Sequence, residues 1–186
     1  KWLDSYSHMK KKQIFYNSDL GLPFSSEGSK ITDFTLNNVQ KTYQYPIVKA
    51  SGVVSIGVDV GSDLHVIIRE RLKDEHNFWI RRLILACSVP SFSALRKLIQ
   101  QWNPKIVVID AHPEIHEVLS LKESFKQVYS SKFVHGQLKI SVDKENKIIS
   151  MDRTCILDGL KEEFDKEYSI LPQAASYIDN GRYYSH

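Results

Sequence analysis

Two aspartates lie in or at the end of apolar, β-branched segments of this chain. Asp59 stands between Val58 and Val60 in "VVSIGVDVGS", and Asp110 ends "KIVVID". A carboxylate is costly to bury, and two carboxylates side by side repel each other unless they share a proton or a cation. Mg²⁺ and Mn²⁺ prefer carboxylate oxygens, so a fold that joins the two strands would create a divalent-metal centre. The alternative for each aspartate is a structural role, such as a hydrogen bond to the backbone.

A centre of this kind suits phosphodiester hydrolysis. Two divalent ions about 3.5–4 Å apart can hold the attacking and the leaving oxygens of an in-line displacement. One ion would generate the hydroxide nucleophile, and the other would stabilise the leaving 3′ oxygen. The two aspartates are therefore candidate catalytic and metal-ligating residues.

Other polar residues near these segments are candidates for supporting roles. His65 follows Asp59 by six residues, and His112 and Glu114 follow Asp110 in "DAHPE". We consider them outer-shell residues of the centre; the alternatives are a surface histidine for His65 and a helix-start residue for Glu114. The candidate DNA contacts are basic residues whose alternatives are ordinary ion pairs or a solvated edge: Arg153, Lys139, Lys144 and Lys147.

The elements that must position these residues follow from apolar periodicity and turn residues. Three strands with short turns predict an antiparallel meander, and strands alternating with helices then predict parallel βα units. Ser91 is the expected N-cap of the first long helix, and Pro104 lies beyond its end. The expected strands are 53–60, 64–69, 78–89, 105–111 and 126–134, the hairpin turns at 143–146, and the helices are 91–103, 113–125, one from 152–154 and a short one past 172.

The order β-β-β-α-β-α-β predicts a ribonuclease H-like α/β fold. In this fold a mixed sheet has helices on both faces, and its first and fourth strands lie side by side and parallel. Asp59 and Asp110 then become neighbours, and the small residues Ser55, Gly57 and Gly61 share the face of Asp59. The hairpin is an addition to this core.

The composition fits one globular domain with an appendage. The chain has 186 residues, 42% of them apolar, and a net charge of +3, which permits a polyanionic partner. Residues 1–50 lack periodicity and are expected to form a linker or arm, with the nuclease-like domain at 51–186. Cys87 and Cys155 are expected to be buried free thiols of a reducing compartment. We expect no membrane span and no signal peptide, and a chain that starts at Lys1 is interpreted as part of a longer protein.

Three segments resemble the nuclease domain of the large terminase subunit of tailed bacteriophages. They are "IGVDVGSDLHVIIRE", "KIVVIDAHPEIHEVL" and "SMDRTCILDGL", while "FYNSDLGLPF" resembles the end of the ATPase part that precedes that domain. The resemblance implies that Asp59 and Asp110 are two of the family's three acids. The third lies in a C-terminal helix within an Asp-His or Asp-Asp stretch, which we expect past His186, since Asp179 fits this pattern poorly.

The resemblance further implies what the chain does. A terminase nuclease cuts concatemeric viral DNA with two Mg²⁺ or Mn²⁺ ions, inside the host cytoplasm. Its partners are double-stranded DNA, the small terminase subunit, the portal and its own ATPase domain. No G-x-x-x-x-G-K-[ST] loop occurs in the sequence, so no ATPase activity is expected of this chain.

Three alternatives remain open from the residues. One is a non-catalytic nucleic-acid-binding or docking module of the same fold, and another is a resolvase or transposase. The third is an actin-like or sugar-kinase ATP-binding protein, which "GVDVGS" also resembles. That class needs a second copy of the domain and a second Gly-rich phosphate loop, and the sequence has neither.

Overall fold

The structure is a computed structural model that describes residues 31–137 and 139–173. These residues form a mixed α/β fold, with one nine-stranded mixed sheet and four helices. The strands are β1 (Gln40–Lys41), β2 (Val53–Val60), β3 (Leu64–Lys73), β4 (Trp79–Val89), β5 (Ile106–Asp110), β6 (Val128–Phe133), β7 (Ser141–Asp143), β8 (Ile148–Met151) and β9 (Ser169–Pro172), and the helices are α1 (Asp33–Val39), α2 (Phe92–Trp102), α3 (Ile115–Ser124) and α4 (Arg153–Asp165).

The strand order confirms the pairing that the site requires. The sheet runs β1-β9-β4-β3-β2-β5-β6-β8-β7. Strands β2, β3 and β4 form the predicted antiparallel meander, and β5 pairs parallel with both β2 and β6. The predicted hairpin is present as the antiparallel pair β7–β8. The first and fourth strands of the predicted core are thus neighbours.

The core lies on one face of the sheet. Val54, Ile56, Val58 and Val60 of β2 are buried there, because alternate residues of a strand point to the same side. Helices α2 and α3 cover this face through buried residues that belong to the same apolar cluster: Leu95, Ile99, Val118 and Leu121. The other residues of β2, which include Asp59, point to the opposite face, called the open face below.

Local signals explain where the helices begin and end. The Ser91 side chain accepts a hydrogen bond from the Ala94 amide, so Ser91 is the N-cap of α2 as predicted. At the other end Asn103 has a φ of 40°, a left-handed conformation that Asn tolerates, and Pro104 follows. Asp152 caps α4 in the same way by accepting from the Cys155 amide, and a second bond from the Gly136 amide helps to lower the pKa of its carboxyl.

Several elements differ from the sequence-based expectations. Residues 33–50 are not simply an arm, since β1 pairs with β9 and the Ile47 amide bonds to the Ile84 carbonyl of β4. Strand β9 was not predicted at all. The predicted apolar face of α4 is shallow, because the helix has no buried residue and Leu157 is 56% exposed. Cys87 is buried, but Cys155 is exposed, so the expectation of two buried thiols is wrong for Cys155.

Two further expectations concern the chain ends and a membrane span. The short helix expected past Pro172 falls on residues outside the described ones, as does most of the predicted linker. Within the described residues, no helix is long and apolar enough to cross a bilayer.

The buried carboxylate of Glu70 joins the residues just before β2 to strands β3 and β4. Glu70 of β3 is 1% exposed and accepts hydrogen bonds from the Ser51 amide at 2.7 Å and the Gly52 amide at 2.8 Å. Arg82 of β4 donates to the same carboxylate from Nη2 at 2.6 Å and from Nε at 2.9 Å. Gly52 is required here because an added Cβ would lie 2.3 Å from the Arg71 carbonyl oxygen.

Removing Arg82 should destabilise the fold strongly. Arg82→Ala leaves the Glu70 carboxylate buried without its cation, which costs about 3–5 kcal/mol in comparable pairs. The control is Arg71→Ala, because Arg71 is exposed and has no carboxylate partner among the described residues. Its contact with the Trp79 ring is exposed, so that change should cost at most about 1 kcal/mol. Urea unfolding of both variants measures the difference. Equal free energies of unfolding would contradict the assignment of Arg82.

Glu70 should also make stability depend on pH. Burial alone would raise the pKa of the Glu70 carboxyl, but the hydrogen bonds from Arg82, Gly52 and Ser51 outweigh it, so this pKa lies below its ordinary value of 4.5. The unfolded chain therefore binds this proton at a higher pH than the folded chain does. The contribution of Glu70 should be complete above the ordinary value and should be lost as the pH falls through the folded pKa.

Urea unfolding of the wild type and Glu70→Gln over this pH range tests the linkage. The variant lacks the titrating carboxyl, so its free energy of unfolding should fall less steeply on acidification. The remaining slope belongs to carboxyls such as that of Glu163: burial raises its pKa, but bonds from Arg69 and Ser169 outweigh this and lower it. If the free energy of unfolding of both proteins depended on pH with the same slope, Glu70 would not be a source of this pH dependence.

Candidate metal centre

The two aspartates lie side by side on the open face. In the parallel pair β2–β5, Ser55 lies opposite Ile106 and Gly57 opposite Val108. Continuing this register by two residues places Asp59 opposite Asp110, on strands about 4.8 Å apart. Both residues line the same cavity, whose volume is about 490 Å³. The two aspartates therefore lie on the same face and border one cavity.

The surroundings of the aspartates differ from what the apolar sequence suggests. The apolar run suggests a buried strand, and the structure shows that β2 is buried on one face only. Asp59 is therefore exposed, and Asp110 is half-buried. Gly57 leaves space beside the carboxylates, since an added Cβ there would meet no atom within 4 Å. The site is thus an open depression that water and a large substrate can reach.

Ser131 fixes the orientation of one carboxylate. Strand β6 pairs parallel with β5, with Ser131 opposite Asp110, and the Ser131 hydroxyl donates a hydrogen bond to Oδ1 of Asp110. A carboxylate held this way presents its other oxygen to the cavity. Sequence reasoning did not identify Ser131. The sequence signal that could have identified Ser131 is its position in the next parallel strand. A residue at the same level as Asp110 had to lie beside that aspartate.

His65 is the histidine that the fold brings to the aspartates. It lies directly opposite Asp59 in the antiparallel pair β2–β3, is half-buried and lines the same cavity. Its imidazole therefore borders the cavity that the two aspartates share. The predicted association of His65 with the two aspartates agrees with this placement.

The other two candidates lie farther away. His112 lines a second cavity of about 500 Å³, which shares Asp110, Ser131 and Phe133 with the first. Glu114 lines neither of these; it borders a separate cavity with Ser91, Arg96 and Glu117. It is the N-cap residue of α3, without a side-chain capping bond. The structure therefore does not place Glu114 beside the aspartates, because the turn after β5 carries it over the end of the sheet.

The basic candidates divide into three groups. The Arg153 guanidinium lies 5.8 Å from the centre of the Phe133 ring, which lines the cavity, so Arg153 is at the cavity rim. Lys139 and Lys144 are exposed in or near the hairpin. Lys147 instead donates to the Lys122 and Phe125 carbonyls at the end of α3. The prediction that Lys147 contacts DNA is corrected by this contact, since its ammonium group caps the helix.

The donor set fits a magnesium or manganese ion in part. Asp59 and Asp110 offer hard carboxylate oxygens, and Mg²⁺ in phosphate-processing sites is commonly held by one or two carboxylates together with water and substrate phosphates. Among the described residues there is no group of three or more His, Cys, Asp or Glu side chains that could hold a metal ion. The third acid that the terminase resemblance implies is therefore not found among residues 31–137 and 139–173.

Comparisons of the whole chain with protein-family models, with curated proteins and with solved structures gave no match. The interpretation of the site therefore depends on its own geometry.

Ser131→Ala should weaken metal binding without removing it. Loss of a hydrogen bond that orients a ligating carboxylate commonly reduces metal affinity by about 10–100-fold. Ser130→Ala is the matched control, because Ser130 is the adjacent residue of β6, points to the other face and bonds to the Lys147 carbonyl instead. Calorimetric titration with Mn²⁺ should show weaker binding for Ser131→Ala alone. Equal affinities in both variants would contradict a role of Ser131 in the metal centre.

Proposed function

We propose that this chain is a metal-dependent DNA endonuclease with a ribonuclease H-like fold. The observation that carries the proposal is the level placement of Asp59 and Asp110 on adjacent parallel strands, at an open cavity. The strand order β4-β3-β2-β5-β6 supports the fold assignment, since it contains three antiparallel strands followed by two parallel ones. The resemblance to terminase nucleases points to the cutting of concatemeric viral DNA during packaging.

The residues of the chain have distinct roles in this proposal. Asp59 and Asp110 would hold the divalent ions, and Ser131 would keep the Asp110 carboxylate in one orientation. When bound, such ions activate water and neutralise charge on the phosphate. His65 is placed to contact the phosphate or to take up a proton, and Arg153 at the cavity rim is placed to contact a neighbouring phosphate.

The shape of the site supports a polymeric substrate. The cavity is bounded by residues of the sheet, which include Phe133 of β6 and Met151 of β8. Asp59 is exposed. Carboxylates at an open depression can reach the phosphate of a duplex without the duplex having to enter the protein. In the full terminase that the resemblance implies, the ATPase domain, the small subunit and the portal would deliver that duplex.

A non-catalytic nucleic-acid-binding module is the second candidate. It is favoured by the lack of a third acidic ligand among the described residues. Such a module would bind DNA without binding metal. Calorimetry with Mn²⁺ separates the two: a nuclease should show metal binding that Asp59→Ala abolishes, whereas a binding module should show none in either protein.

Asp59→Ala and Asp110→Ala should each abolish DNA cleavage while the fold persists. Metal-ion catalysis supplies several kcal/mol of transition-state stabilisation, so each loss should exceed roughly a thousand-fold. Nicking of supercoiled plasmid with Mn²⁺ measures the rate, in a chain extended past His186 where the third acid is expected. Asp63→Ala, in the turn after β2, is the control. Cleavage unchanged in either active-site variant would refute the proposal.

A further inference from the structure

A cluster of two cations and one indole lies on the open face, at the end of the meander far from the aspartates. Arg71 and Lys73 of β3 are exposed, and Trp79 of β4, which is 49% exposed, lies opposite Lys73. The Arg71 guanidinium is 4.4 Å from the centre of the Trp79 ring and the Lys73 ammonium is 5.3 Å from it. We call these three residues the Trp79 platform.

The platform shares its face with the carboxylate pair. In the β2–β3 register Asp59 lies opposite His65, Ser55 opposite Arg69 and Val53 opposite Arg71. Residues directly opposite each other point to the same side, so alternate residues of β3 from His65 to Lys73 all lie on the open face, with the end of α4 over Arg69. Arg71 and Lys73 follow His65 by six and eight residues, which corresponds to about 20–27 Å along the strand.

The charges of the platform are available to a ligand. Within the part of the chain that the structure describes, no carboxylate forms an ion pair with Arg71 or Lys73. Lys73 donates to the Asn77 side chain, which leaves its charge uncompensated. Stacking on Trp79 restricts both cations, so less conformational entropy is lost when they bind an anion.

Most of the acidic residues nearby are engaged in contacts within the protein. Glu163 of α4 bonds to Arg69 at 2.8 Å and to Arg81 at 3.3 Å, between the carboxylates and the platform. On the same helix Asp165 pairs with Lys161, and Glu162 pairs with Lys166. In the β3–β4 turn the Asp74 carboxylate accepts bonds from the His76 and Phe78 amides. These contacts reduce the repulsion that a polyanion would meet on its way to the platform.

We propose that the Trp79 platform binds the phosphate backbone of duplex DNA while Asp59 and Asp110 act on it. This inference rests on the proposed function and adds a substrate contact to it. The separation of about 20–27 Å corresponds to roughly six to eight base pairs of duplex DNA. Glu163 near the end of α4 lies between the two sites, and the major groove of a duplex is wide enough to admit an α-helix. A duplex whose groove straddles this helix can therefore touch the carboxylates and the platform together. The two cations supply charge, and the indole supplies a rigid aromatic surface against the backbone.

The experiment measures DNA affinity without metal. A fluorescent duplex longer than about ten base pairs is titrated in EDTA between about 50 and about 200 mM salt. The variants are the double change Arg71→Ala with Lys73→Ala, and separately Trp79→Ala. The charge-matched control is Lys97→Ala with Lys126→Ala, because both lysines are exposed and lie with the helices of the opposite face.

We expect the platform double variant to lose affinity roughly ten-fold and to lower the slope of log K against log salt by about two, one for each phosphate contact. Trp79→Ala should also weaken binding, since Arg71 and Lys73 lose the ring on which they stack. The lysine control should change neither quantity. A wild type that does not bind the duplex, or equal affinities of the platform variants and the control, would overturn the inference.

Failure of the platform and failure of the nuclease are distinguishable. Asp59→Ala should keep its DNA affinity in EDTA while it loses Mn²⁺-dependent cleavage. If the platform variants bind DNA as tightly as the wild type while Asp59→Ala is inactive, the nuclease stands and the platform is rejected. If the platform variants lose affinity while Asp59→Ala still cleaves, the binding surface stands and the proposed active site is rejected.

Discussion

The arrangement of this protein depends on two like charges held at the same level of adjacent strands. Two carboxylates on neighbouring strands repel each other, and the repulsion is weaker where water surrounds them. Parallel pairing of β2 with β5 imposes this closeness, because the register leaves Asp59 no neighbour on that side except Asp110. Exposure to water and the bond from Ser131 relieve part of the repulsion. A divalent cation would relieve the rest, which is the physical basis of the proposed metal centre.

The sheet tolerates this charge because its two faces are unequal. On one face Val54, Ile56 and Val58 pack under α2 and α3 and supply the apolar burial that holds the fold together. On the other face the same strand presents small or polar residues, which include Ser55 and Gly57. Residues of a strand point alternately to the two faces of the sheet. A polar change on the open face of β2 therefore leaves its core packing intact.

Much of this could be predicted from sequence where the signal is local. Apolar periodicity and capping residues located the central strands and α2, and the order of elements paired β2 with β5. Contacts between distant segments were not predictable in this way. Strand β9 was missed because four residues, Ser169–Pro172, carry no periodicity and form a strand only by pairing with β4 and β1. Lys147 was predicted to contact DNA because the sequence does not show its bond to the end of α3. That bond joins segments that only the tertiary structure brings together.

The cavity at the carboxylates exists because α4 crosses the open face without filling it. The helix connects β8 to β9, and its length of about 20 Å matches the four strand spacings, about 19 Å, from β6 to β4. Its attachments are polar and lie near its ends: Asp152 caps the start, and Glu163 binds Arg69 and Arg81 near the finish. Ile156, Leu160 and Phe164 are half-buried, but no residue of the helix is fully buried, and Leu157 points largely to solvent. Because the helix packs only shallowly and none of its residues lines the cavity, the depression at the carboxylates stays open.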